Sequence, residues 1–239
     1  MSGRHVLIAG GSRGIGAACA ARFRQRGDRV SILSRTSGIA VDLRDAEAAA
    51  AAVARAEFLE GGVDVLVCTA GAAQQAPLAD LNATALRAGM DAKYFPYANV
   101  MMATLPGMIS RGRGVIIPVI GMGGKRASPT HLPGGAANAA LMLLTTGLGH
   151  AYAAQGVRVV GVNPGPVMTE RLERLIAAHA LQDGLSHHEA HTRISANIPN
   201  GRLPGPDDIA ALVCLLADPA ADIVNGTVLA ADGGATPVI

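Results

Sequence analysis

Short, almost unbroken apolar runs alternate along this chain with longer helical segments, a pattern that predicts a parallel sheet covered by helices on both faces. Val6–Ala9 opens the series as a buried strand, followed by the turn Gly10-Gly11-Ser12-Arg13-Gly14-Ile15-Gly16 and a helix over Ala17–Phe23. Arg29–Ser34 reads as strand two, Val63–Cys68 as a strand ending at Thr69-Ala70-Gly71, and Val115–Ile120 as the next. Between the last two, a long helix over about Ala83–Ser110 contains Pro96, whose missing N–H should kink it near Ala92. Ala136–Ala154 is an alanine- and leucine-rich helix, and Val157–Val162 is a strand running into Asn163-Pro164-Gly165-Pro166. Two short helices, Thr169–Leu181 and Ser186–Ala196, then interrupt the alternation, and the pattern makes residues 169–203 a small helical lid over a cleft. Asp207–Ala217 is a helix and Thr227–Ala230 the last strand, before Asp232-Gly233-Gly234. With no internal repeat and no linker, residues 1–239 read as a single domain.

One stretch breaks the rule. Only Arg35 to Ile39 separate strand two from a short third strand, Ala40-Val41-Asp42. A parallel crossover needs a dozen or so residues, usually a helix, so that strand should be minimal or irregular.

Composition narrows the function. Half of the residues are hydrophobic (50%) and few are charged (16%), which suits extensive burial, including burial between subunits. A net charge of +2, spread along the chain, points to neither nucleic acid nor an anionic membrane. Cys19, Cys68 and Cys214 lie far apart in apolar stretches and read as core residues of a reducing compartment rather than as metal ligands. Strand one starts within a few residues of Met1, which leaves no room for a signal peptide, and no apolar run reaches membrane-spanning length. The expected setting is the cytoplasm.

The glycine turn carries the first chemical signal. Placed between strand and helix, its glycines allow a tight turn, close backbone approach to a pyrophosphate and close helix packing, and the helix N-terminus offers free N–H groups. Together with the other motifs it resembles the short-chain dehydrogenase/reductase family, and the match covers nearly the whole chain. Asp42-Leu43 resembles the family's adenine-contacting pair. Thr69-Ala70-Gly71 resembles its Asn-Ala-Gly turn with Thr for Asn, and Asn163 to Thr169 resembles the segment closing over the nicotinamide. The resemblance implies an α/β, doubly wound Rossmann-type fold. It also implies a dinucleotide held by Gly10, Ser12, Arg13, Gly14, Ile15, Gly16, Ser34, Arg35, Asp42, Leu43, Ala70, Gly71, Pro164, Gly165, Val167 and Thr169. Strand two ends in Ser34-Arg35-Thr36 without an acid to accept ribose hydroxyls, and two arginines could face a ribose phosphate. NADP(H) is therefore expected over NAD, with no bound nucleotide as the remaining alternative.

The proton-handling residues are missing. The family uses an Asn on the kinked helix, a Ser after the fifth strand, and Tyr-x-x-x-Lys opening the next helix. Carried across, these fall on Lys93, Gly121, Gly134 and Asn138. Tyr94, Tyr97 and Tyr152 are followed four residues later by Ala98, Met101 and Gly156, so the Tyr-x-x-x-Lys order occurs nowhere. The leading expectation is a cofactor-binding protein without ordinary reductase chemistry, forming a dimer or tetramer, alone or mixed with an active paralogue. A second expectation is an active NADP(H)-dependent oxidoreductase using Lys93 or His131 as proton donor, with Lys93, Lys125 and His131 in cleft-lining segments. A third is an oligomeric scaffold binding no nucleotide. Within the cluster His187, His188, Glu189 and His191, His187 and His191 are four apart and could share a helix face as metal ligands do, but the cluster reads more simply as a solvated lid helix, and no metal is expected.

Overall fold

The computed structural model describes residues 3–71 and 77–237. Strands β1 (His5–Ala9), β2 (Arg29–Ser34), β3 (Ile39–Ala40), β4 (Val65–Cys68), β5 (Gly114–Pro118) and β6 (Val157–Val159) form a parallel sheet in the order β3-β2-β1-β4-β5-β6. A second parallel pair, β7 (Gly161–Pro164) with β8 (Val228–Ala231), joins it through a bridge from Val119 to Val162. The strand expected over Val157–Val162 thus changes partner midway, because Val160 donates to Ile116 while Gly161 donates to Thr227.

The strands are buried on both faces, and their alternation divides the core in two. Leu7 and Ala9 of β1 pack with Leu66 and Cys68 of β4 against α2 (Ala46–Glu60) and α4 (Phe95–Ser110). Val6 and Ile8 pack with Val65 and Val67 against α1 (Gly14–Gln25) and α8 (Pro206–Leu216). The period of two along β1 therefore feeds helices on opposite faces, which makes the sheet doubly wound.

The long helix is broken where its sequence demands. It runs as α3 (Ala83–Gly89), a single π turn over Met90–Tyr94, and then α4, with Pro96 in the first turn of α4. Pro96 lacks the N–H that a continuous ladder would use, and the ladder widens by one residue rather than bending sharply. α5 (Leu132–Tyr152) starts before the expected Ala136 because Pro133 sits comfortably in a first helical turn. The lid contains α6 (Glu170–Asp183), capped by Thr169, and α7 (His187–Ser195), capped by a Ser186–Glu189 box. α2 carried no signal in the apolar pattern: its alanine-rich repeat lacks a clear stripe. Its start is marked by Asp45, which accepts a hydrogen bond from Ala48 N–H at 3.0 Å.

The short connection exists as expected, although β3 is Ile39–Ala40 rather than Ala40-Val41-Asp42. The Ser34 hydroxyl organises it, accepting from Ser37 N–H at 2.8 Å and Thr36 N–H at 3.2 Å while donating to Ser37 C=O at 2.7 Å. The reversal needs Gly38, whose φ is +70° and where a Cβ would lie 2.3 Å from the Ile32 carbonyl oxygen. Gly38→Ala should lower stability by roughly 1–3 kcal/mol through strain and overlap. A thermal melt checks this.

Candidate functional site

Two close approaches build the nucleotide end of the cleft. Gly10 has φ +90°, and a Cβ there would lie 2.5 Å from Ala70 N; at Gly16 it would lie 2.3 Å from the Gly10 carbonyl oxygen. The turns after β1 and β4 are therefore packed backbone on backbone, and Thr69 ties them by donating to the Ala9 carbonyl at 2.9 Å. A longer side chain in the place of Gly16 would also collide with the Thr69 hydroxyl, 2.5 Å from that ideal Cβ. Gly14, at φ +55°, faces Thr169, whose methyl lies 3.4 Å from the ideal Cβ position, so the segment from Pro164 to Thr169 returns to the glycine turn.

These residues fit a dinucleotide. Arg13 is the N-cap of α1 without a side-chain cap bond, the first turn holds no acid, and its first N–H groups have no partner within the helix. Arg13 and Arg35 are exposed, and neither pairs with a carboxylate among the described residues. Ser12 is exposed beside Arg13, Ile15 is half-buried against the α1 and α8 core, and Val167 is buried there. Gly165 lies so close to Asp232 that a Cβ would come within 2.9 Å of the Asp232 Cβ. Three expected contacts are spent elsewhere. The Ser34 hydroxyl holds its own loop, Leu43 is a core side chain, and Asp42 is bound by Arg44 at 3.0 Å, which holds its carboxyl down to about 2. Any adenine contact from Leu43 must therefore come from its backbone.

The chemistry end is a cavity of about 80 Å³ lined by Gly71, Lys93, Ile120, His131, Gly134, Asn138 and Arg171. It brings together three of the four positions where the family places its catalytic groups: Lys93, Gly134 and Asn138. Lys93 stands on the π turn, and Gly71 lets that turn close in: at φ +81°, a Cβ would lie 2.2 Å from the Ala92 carbonyl oxygen. Lys93 is only 8% exposed. Its Nζ donates to the Tyr97 hydroxyl at 2.7 Å and to the Val119 carbonyl at 3.3 Å, and lies 4.2 Å from the centre of the Tyr97 ring. Burial without a counter-charge, with Arg171 nearby opposing the weak pull of Cys68, brings the amine down to about 7. The Tyr97 hydroxyl donates to Val119 C=O at 2.6 Å, and burial raises its pKa well above the usual range, so it stays protonated.

Gly121 has φ +125°, a conformation open essentially to glycine alone, and its N–H is fixed by Asn163 Oδ1 at 3.2 Å. A serine could not simply be restored there. Asn138 is 6% exposed and its Oδ1 has no partner; His131 Nδ1 is likewise buried and unpartnered, and burial, Arg171 and Lys93 lower the imidazole pKa. Lys125, expected in the cleft, is exposed on the loop after β5 and does not line the cavity. In the lid, His187 lies 3.1 Å from Glu173 and Glu189 serves the cap of α7; among the described residues no His, Cys, Asp or Glu group could hold a metal.

Tyr97 was the residue that sequence reasoning missed. Its signal was Lys93-x-x-x-Tyr97, the family's pair in reverse order and one helical turn apart, on the kinked helix rather than on α5.

A family model described as enoyl-(acyl carrier protein) reductase matches residues 9–236. The chain belongs to the short-chain dehydrogenase/reductase family. It is 31% identical to cis-4-hydroxycyclohexanecarboxylate dehydrogenase of Sinomonas cyclohexanicum, covering 98% of this chain and 97% of that one. It is 30% identical to oxidoreductase UcpA of Salmonella typhimurium, covering 99% and 95%. Among solved structures it superposes on a single-residue variant of actinorhodin polyketide ketoreductase with NADPH at a TM-score of 0.93, with 27% identity over 99% and 98% of the two chains. No described helix of this short-chain dehydrogenase/reductase is long and apolar enough to cross a membrane.

Holding Lys93 in this cavity costs stability. Its folded pKa of about 7 lies below the ordinary 10.5, so the unfolded chain binds the extra proton and the cost is fully present below about pH 7. Lys93→Met should therefore stabilise the fold by roughly 2–5 kcal/mol near pH 6, and the gain should shrink toward pH 10. Denaturant melts at the two pH values check this.

Proposed function

We propose that the chain is an NADP(H)-dependent oxidoreductase of carbonyl or alcohol substrates that has lost tyrosine-centred proton transfer and moves the proton through Lys93. The observation that carries this reading is the Lys93 amine itself, near pKa 7, in the cavity that Gly134 and Asn138 line. A general acid–base group works best when its pKa lies near the operating pH. The family membership, the ketoreductase bound to NADPH and the relatives named as dehydrogenases support the oxidoreductase class.

The residues divide the work as follows. Gly10 to Gly16 with Arg13 and Arg35 would hold the phosphates, and the unpartnered Asn138 Oδ1 would accept a ribose hydroxyl. NADPH, when bound, supplies the hydride. Lys93 as ammonium has three N–H donors, two of them engaged by Tyr97 and Val119, which leaves the third for a carbonyl oxygen in the cavity. Giving that proton leaves a neutral amine, and the reverse reaction returns it. Tyr97 is a positioning residue: it fixes the amine and, with its own proton on Val119, does not enter the exchange.

A second reading rests on Gly134, Asn138 and the strained Gly121. Here the chain is a cofactor-binding subunit without turnover, a dimer or tetramer or the partner of an intact paralogue, with half-exposed Phe95 and Met102 on α4 and exposed Leu143 on α5 available for contact. A scaffold that binds no nucleotide would use the same faces.

A pH profile of the purified chain with NADPH and a carbonyl panel separates these readings. Carbonyl reduction needs the ammonium, so kcat/KM should fall as pH rises through about 7, and alcohol oxidation should fall as pH drops through it. Lys93→Met should cost about 100-fold or more in kcat with NADPH affinity retained. Full activity in Lys93→Met removes the Lys93 mechanism. NADPH binding with no turnover at any pH favours the subunit reading, and no binding favours the scaffold.

A further inference from the structure

The same cavity has a charge pattern that the proton role does not require. Three basic side chains reach it from three separate elements: Lys93 from the π turn, His131 from the residue before α5, and Arg171 from the first turn of α6. No Asp or Glu lines it, and among the described residues no carboxylate pairs with Arg171. Arg4 and Arg111, by contrast, each pair with a carboxylate, Asp28 and Glu57. His131 and Asn138 both line the cavity, His131 Nδ1 and Asn138 Oδ1 are buried without a partner among the described residues, and Asn138 as a whole is more than nine-tenths buried. A buried polar atom left unpaired costs about 1–3 kcal/mol, so a partner for these groups would be stabilising.

We infer that the site takes a small carbonyl or hydroxy acid, with the substrate carboxylate held by Arg171 and His131 and its reacting oxygen at Lys93. This assignment rests on the Lys93 reading for the reaction but not for binding. The groups fit the ligand one by one. Arg171 offers a planar fork to a carboxylate, and His131 with its proton on Nδ1 donates to the same group. The third Lys93 N–H meets the carbonyl oxygen, and Asn138 Oδ1 stays with the cofactor's ribose hydroxyl. The groups facing Lys93 are Tyr97, Cys68, His131 and Arg171, and Arg171 is the cation among them that opposes protonation. A carboxylate seated on Arg171 cancels that opposition, so the correct substrate favours the ammonium that must give the proton. A neutral ketone leaves Arg171 unopposed and the amine less protonated. A second cleft, lined by Met122, Gly123, Ile194 and Ile198, lies nearby, and the ideal Cβ of Gly123 is 3.3 Å from Asn138 Nδ2.

The test uses 2-oxobutanoate and 3-oxobutanoate beside their methyl esters, titrated calorimetrically into the full chain with and without saturating NADP+, and into Arg171→Gln. Arg171 is exposed on the first turn of α6, so this variant should fold. At least one acid should bind about tenfold tighter than its ester, the preference should fall to near unity in Arg171→Gln, and NADP+ should leave it intact. Equal binding of acids and esters, or an unchanged preference in Arg171→Gln, overturns the assignment. Displacement of the acid by NADP+ also overturns it, because the anion recognised is then the cofactor's own phosphate. The two proposals fail separately. Acid preference with full activity in Lys93→Met keeps the substrate class and removes the proton role, and the converse result does the opposite.

Discussion

An amine without a counter-charge sits at the end of the β-sheet, between β5, the π turn and α5, and most of the site's organisation can be traced to it. Lys93 has two neutral acceptors, the Tyr97 hydroxyl and the Val119 carbonyl, and both are supplied by backbone and side chains that cannot retreat. Tyr97 is fully buried in the core beside Val100 and Met101, and Val119 is clamped into the sheet by its N–H on the Cys68 carbonyl. Burying an ion so sparingly paired is expensive, and the cheapest response of a lysine is to give up its proton near neutral pH. The cost and the chemistry come from one cause.

The fold makes that burial possible through close backbone approaches rather than through special side chains. Gly71 admits the Ala92 carbonyl, and Gly89 allows α3 to meet Pro133 on α5, where a Cβ would come within 2.6 Å of the Pro133 Cβ. These two contacts press the π turn against the cleft. At the other end, Gly10 and Gly16 bring the turns after β1 and β4 together, which leaves the N-terminus of α1 open for phosphate. The two ends meet along the C-terminal edges of the parallel strands, where ligands of open α/β sheets bind. The cavity around Lys93 and the glycine turn after β1 therefore share one framework.

Much of this could be read in the chain. β2 spans Arg29–Ser34 as its apolar run indicates, the lid helices begin at their Thr169 and Ser186 caps, and Pro96 marks the break in the long helix. What escaped had physical reasons. α2 has alanines on all sides, so its buried face, Ala49, Ala52 and Ala56, looks like its exposed one in hydropathy. Lys125 and Lys93 are indistinguishable as residues near the cleft; Lys93 is buried on the π turn, whereas Lys125 is exposed at the end of a short turn after β5. Tyr97 reads as a core aromatic, which it is, and its second role depends on a partner whose burial no single-residue property reveals. Arg171 drew no attention in the sequence, because nothing local shows that the lid helix delivers it to a cavity formed by distant segments.

The central claim is that Lys93 changes its charge near neutral pH in the folded protein. With only two lysines in the sequence, Lys93 and Lys125, the claim can be tested on a spectrum of two resonances. Titration of lysine labelled with carbon-13 at Cε, followed by NMR with exposed Lys125 as the internal comparison, should show one resonance with a midpoint of about 7 that disappears in Lys93→Met. A Lys93 midpoint at the ordinary lysine value of 10.5 would contradict the account.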